Sequence, residues 1–77
     1  MKYDEDKIDE AVLALLFLTL HDGCRAWKGH DWEVLSRLHQ KGMIHDPVGK
    51  TKSVVLTEEG MRRCEELFAK LFSKGAA

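Results

Sequence analysis

Two cysteines and four histidines are the side chains of this sequence best equipped to bind a metal or attack an electrophile. His21 and Cys24 are spaced like a ligand pair with His30 close behind, and zinc accepts imidazole nitrogen and thiolate sulfur in a tetrahedral site. A structural zinc needs a second spaced pair, which His39, His45 and Cys64 do not supply. No metal site is expected. A nucleophilic cysteine needs a base and an orienting group beside it. Cys64 recurs at helical spacing with Met61, Leu67, Phe68, Leu71 and Phe72, where a thiol packs instead of reacting, and Cys24 falls in a loop. With little room for a substrate pocket in 77 residues, no catalytic residue, no cofactor and no enzyme activity are expected.

The other chemistry-bearing set is polar and cationic. In DWEVLSRLHQKG, residues 31–42, Val34, Leu35 and Leu38 share one stripe, which leaves Ser36, Arg37, His39, Gln40 and Lys41 pointing outward. Offered to a duplex, those five would meet base edges in the major groove, and Lys50 and Lys52 would meet phosphates. The same residues equally suit a solvated helix face, with the two lysines blocking edge-to-edge pairing at a hairpin tip. Residues 1–10 carry five acids against two lysines, whereas residues 37–52 carry Arg37, Lys41, Lys50 and Lys52 against Asp46 alone. The formal total is −1, so long-range attraction for a polyanion is small.

These residues must be positioned by one small domain, residues 1–77, ending in a flexible tail at about 74–77. A chain of this length buries only roughly 60% of the surface its unfolded form exposes, which leaves it marginal on its own. The acidic N-terminus is unlike a secretory or mitochondrial leader, and the apolar run 11–18 is too short to span a bilayer. Two cysteines forty positions apart make no disulfide scaffold. A reduced, cytoplasmic protein without membrane contact is expected.

Asp4 as cap, with Glu5 and Asp6 in the first turn, opens a helix from about residue 4 to residue 20, after which Gly23 is free to turn left-handed. CRAWKGH, residues 24–30, holds at most a turn or two. Asp31 caps a second helix that Gly42 ends. MIHDPVGKTKSVVL, residues 43–56, reads as a β-hairpin with strands at 43–45 and 53–56, Pro47 and Gly49 in the loop, and Val54 and Leu56 facing inward. Thr57 caps the last helix, and Gly60 in its first turn either permits close backbone approach or merely weakens the start. The fold class is therefore mainly α with a two-stranded β-hairpin (α+β), in the order helix, helix, hairpin, helix.

LSRLHQKGMI followed by SVVLTEEGMRRCEELF resembles the winged-helix superfamily over about residues 31–72. In that superfamily the first pattern ends the recognition helix, and a strand closing on LTEEG leads from the wing into a packing helix. The resemblance implies a DNA-binding transcriptional regulator that reads with helix 31–41 and steadies itself with wing 43–56. By analogy of fold, the same frame also serves self-association. The whole chain, including DEAVLALLFLTLHDGCRAWKG, is similar to a family of short bacterial proteins known only as a domain of unknown function, a likeness that implies no activity.

The first helix is apolar nearly all the way around. Ile8, Val12, Leu15 and Thr19 make one face, and Leu13, Phe17 and Leu20 the opposite one. A helix hydrophobic on every side must be buried, and two further helices with a hairpin are too little chain to cover it. Leu13, Phe17 and Leu20 are therefore expected to form a homodimer interface about a two-fold axis. A lid made by Trp27 and Trp32 is the alternative cover for that face. The tryptophans are otherwise expected to fill the space where a helix is missing, or to anchor an unknown protein partner. A self-associating protein-interaction or structural module is the leading functional expectation, with DNA binding as its alternative.

Overall fold

The expected caps are the side chains that start the three helices. In a computed structural model describing residues 2–74, Asp4 accepts a hydrogen bond from the Lys7 amide at 3.1 Å, Asp31 from Val34 at 3.3 Å and Thr57 from Gly60 at 2.9 Å. Each satisfies an amide that a helix start would otherwise leave unpaired. The helices are α1 (Glu5–Leu16), α2 (Trp32–Gln40) and α3 (Glu58–Phe72). Lys74 follows α3 as a bend, and the rest of the expected tail, residues 75–77, lies outside the described residues.

The α-helical part of α1 ends at Leu16, and Phe17–Thr19 tightens into a single 3-10 turn. Beyond it Leu20 is extended, at φ −59° and ψ 133°. The Thr19 hydroxyl helps hold this exit, because it donates to the Leu16 carbonyl and accepts from the Trp27 amide at 3.0 Å. Asp22 and Gly23 both take positive φ, 48° and 85°, and reverse the chain so that His21 and Arg25 exchange backbone hydrogen bonds of 2.9 and 3.1 Å. Asp-Gly acts here as a hairpin turn and not as the end of a helix. The segment after it, expected to be a helical turn, carries strand β1 (Arg25–Trp27).

Strand β2 (Ser53–Val55) forms where expected, but its partner is different. It runs antiparallel to β1 with Arg25 opposite Val55, Ala26 opposite Val54 and Trp27 opposite Ser53. The expected partner, 43–45, contributes only an isolated bridge between Ile44 and Leu56 on the other edge of β2. Burial accounts for the choice: Ala26 and Val54 face each other across the β1–β2 ladder and are both buried, while Arg25 and Trp27 alternate outward. The molecule is thus mixed α+β in the order α1, β1, α2, β2, α3, and the expected order of helix, helix, hairpin, helix is corrected.

Gly42, at φ 78°, closes α2. Its amide reaches the His39 carbonyl and the Met43 amide the Leu38 carbonyl, the paired bonds of a Schellman turn. The end of α2 is tied directly to the start of α3. Thr57 donates its backbone amide to Met43 and its hydroxyl to Gly42. A Cβ at Gly60 would collide with the Met43 carbonyl, so Gly60 is there for close approach.

The expected interface of α1 is also corrected. Leu13 is buried, and Phe17 and Leu20 pack on the same core, because α3 covers that side of α1: the Phe17 and Phe68 rings lie 5.0 Å apart. Ile8, Leu15 and Leu18 are the apolar side chains that α1 and its 3-10 extension leave exposed, Leu18 by 65%. The chain covers the face that was expected to need a partner and opens the other.

Gly60→Ala is expected to destabilise the protein by about 2 kcal/mol or more, since backbone must move to admit the methyl group. Gly29→Ala, whose Cβ would meet nothing within 4 Å, is expected to stay within about 0.5 kcal/mol of the parent in a urea titration. Equal shifts for the two variants would contradict the close approach of α3 to Met43.

Candidate functional site

Asp9 lies on the buried stripe of α1 with Leu13 and Leu16, at only 1% exposure. A carboxylate taken out of water must be compensated, and α2 supplies both cations. Arg37 reaches it with Nε at 2.9 and 3.0 Å and with Nη2 at 2.7 Å, and Lys41 with Nζ at 2.8 Å. The same two side chains extend to the surface, Arg37 to Glu5 at 3.2 Å and Lys41 to Asp6 at 2.9 Å. Burial pushes the Asp9 carboxyl upward, but the hydrogen bonds and charges of Arg37 and Lys41 outweigh it and hold the group below the ordinary aspartate range. Hydrogen bonding to Asp9 in turn raises both Arg37 and Lys41 above their usual values.

This network divides the residues expected to meet DNA. Arg37 and Lys41 are turned onto α1, Ser36 is half-buried, and His39 and Gln40 are exposed on α2. Lys50 and Lys52 are exposed in the loop leading to β2. The seven side chains do not form one continuous cationic face. Asp9 itself was overlooked, although an acid in the stripe of Leu13 and Leu16, matched by two cations one turn apart on the next helix, is a readable signal.

The structure gathers a different group at the sheet. Arg25 and Trp27 project from the outer face of β1, and Arg25 Nη1 donates to the Ser53 hydroxyl at 3.3 Å. Lys28 continues the strand, its amide bonded to the Lys52 carbonyl at 2.9 Å. Its ammonium donates to the Gly49 and Thr51 carbonyls and lies 5.7 Å from the centre of the Trp32 ring. Trp27, Lys28, Gly29 and Lys52 line an open recess of about 740 Å³. Trp27 and Trp32 are 66% and 50% exposed, so they neither cap the first helix nor fill the core. Strand alternation decides this for Trp27, since Ala26 takes the inward position.

The cysteines stay apart. Cys64 is buried, donates to the Met61 carbonyl, and has its thiol pushed up by burial, whereas Cys24 is half-buried and also free. The His21 ring bonds the Thr19 carbonyl through Nδ1 at 2.8 Å. Among the described residues, no three His, Cys, Asp or Glu side chains are grouped to hold a metal ion. No helix among them is long and apolar enough to cross a membrane.

Asp9→Asn is expected to cost about 1.5 to 3 kcal/mol at neutral pH, because it removes the charge-assisted hydrogen bonds of Arg37 and Lys41 to the buried carboxylate while leaving their surface partners Glu5 and Asp6. The native carboxyl titrates below the unfolded one. Its contribution is therefore complete above the ordinary aspartate value, about 4, and is lost as pH falls through the lower native value. Stability measured by urea unfolding across that acid range should fall less steeply in Asp9→Asn than in the parent. Asp6→Asn, at the exposed end of the network, should barely move the midpoint. For the tryptophans, red-shifted emission that acrylamide quenches readily is the expected spectrum, and blue-shifted, protected emission would contradict their placement.

Comparison with known proteins gives a consistent result. The family described as a domain of unknown function (DUF6429) matches residues 4–74, from the cap of α1 to two residues beyond α3. A relative named "Uncharacterized protein y4hR", from the bacterium Sinorhizobium fredii (strain NBRC 101917 / NGR234), is 64% identical over 74 residues, which is 96% of this chain and 100% of the relative. No solved structure matches the chain. With α1, the Asp9 clamp, the sheet and α3 all inside the matched span, the chain belongs to the DUF6429 family.

Proposed function

We propose that this DUF6429 protein is a cytoplasmic, non-enzymatic interaction module that self-associates through α1. The observation that carries the reading is the apolar stripe Ile8, Ala11, Leu15 and Leu18, half-buried at Ala11 and exposed at the other three, whose three-four-three spacing is that of a helix–helix seam. Leaving such a stripe in water forgoes apolar burial, and a small domain has little stability to spare. A second copy supplies the same stripe. Antiparallel pairing about a two-fold axis sets Ile8 of each chain against Leu15 of the other, with the small Ala11 at the centre letting the axes approach. Tyr3, Leu71 and Phe72 are further exposed apolar side chains on the molecule.

Other observations support the non-enzymatic part. Cys64 is a packed, protonated thiol, and both cations nearest the buried acid are engaged with it. A winged-helix-like frame remains compatible with α2 followed by the Lys50 loop and β2. As a duplex reader, however, α2 would have to withdraw Arg37 and Lys41 from Asp9, leaving a buried charge unpaired.

Sedimentation velocity at micromolar concentration should give a dimer mass for the parent and a monomer mass for Leu15→Glu and Leu18→Glu, with both variants still folded. Leu13→Glu, on the covered face, should unfold instead. A monomeric parent, or variants that remain dimeric, would falsify the proposal.

A further inference from the structure

We infer that the outer face of the sheet, around Trp27 and its recess, is a binding platform for single-stranded DNA. This goes beyond self-association and uses no residue of the α1 stripe. Two features of the site converge on such a ligand. The first is aromatic: Trp27 and Trp32 are both exposed, Trp27 lining the recess with Lys28 and Trp32 lying under the Lys28 ammonium. Stacking on exposed rings needs bases whose faces are free, which a single strand offers and a duplex does not.

The second is charge. On the helices Arg37, Lys41, Arg62 and Arg63 are all in salt bridges, and Lys7 of α1 and Lys70 of α3 are in none among the described residues. Among the described residues none of Arg25, Lys28, Lys50 and Lys52 has a carboxylate partner. Of the three acids that follow the recess in sequence, two are turned to backbone, Asp31 accepting from Val34 and Asp46 from Val48, and the third, Glu33, is exposed in the first turn of α2. Arg25, Lys28 and Lys52, beside Trp27 and its recess, complement a phosphate chain with bases spread between the charges. The net charge of −1 conceals this separation.

The recess, about 740 Å³, is large enough for a stacked base. Its lining offers an indole, a glycine and two lysine side chains, with no hydroxyl or amide side chain to engage a 2′-hydroxyl. Such a lining demands no ribose hydroxyl, and a deoxyribose strand can meet all that it offers.

The test uses the full chain and labelled oligothymidylate of about 8 nucleotides at low salt, read by anisotropy and by tryptophan quenching. Binding is expected, weakening steeply with salt. Trp27→Ala should weaken it about tenfold or more, Trp27→Phe should restore most of it, and Lys52→Ala should reduce the salt slope. Because Trp27 and Lys52 are exposed, melting temperature should be unchanged in all three variants, so loss of binding is not loss of fold. Absence of binding at low salt overturns the inference, as does parental affinity in Trp27→Ala or equal affinity for a duplex of the same length. Tighter binding of oligouridylate overturns the assignment to DNA, and a stronger response to an oligoglutamate peptide overturns it in favour of an acidic protein partner.

Discussion

The buried carboxylate of Asp9 orients the helical half of the molecule. An ion pair of this kind contributes little net stability, because desolvation offsets most of its attraction, but breaking it leaves a stranded charge. That asymmetry makes it a geometric constraint. Arg37 and Lys41, one turn apart, must both reach the same carboxylate on α1, Arg37 through both oxygens and Lys41 through Oδ2. Meeting that condition sets the rotation of α2 about its own axis, and with it the inward aim of Val34, Leu35 and Leu38.

The same clamp shapes the surface. By drawing Arg37 and Lys41 onto α1, it turns them from the outward face of α2, whereas Arg25, Lys28 and Lys52 at the sheet have no carboxylate partner among the described residues. Two surfaces of different chemistry result, one an apolar stripe on α1 and the other an aromatic and cationic face on β1 and its neighbours. They draw on separate residues, so a second copy on one does not consume the side chains of the other.

A second constraint joins the ends of α2 and α3. Gly42 turns the chain, Thr57 caps α3 while bonding back to Gly42 and Met43, and Gly60 lets the new helix press against the Met43 carbonyl. A short helix start thereby serves as a tertiary joint. It holds α3 where it covers Leu13 and Phe17, which turns the opposite side of α1 outward.

Local signals in the chain were sufficient wherever the deciding physics lay within a few residues. Asp4, Asp31 and Thr57 satisfy amides three positions ahead, Gly42 supplies a left-handed turn, and the β-branched run at Ser53–Val55 is extended with Val54 inward. The likeness to a family of unknown function was legible too, whereas the expected order of helix, helix, hairpin, helix was not what folded. Tertiary structure alone decided the partner of β2, the covered side of α1 and the role of Asp9. Each is a competition between segments far apart in sequence: 25–27 against 43–45 for one strand, α3 against a second copy for one helix face, and phosphate or water against a buried acid for Arg37 and Lys41. Such contests are settled by which arrangement buries more apolar surface without stranding a charge, and that balance exists only once the whole chain is packed.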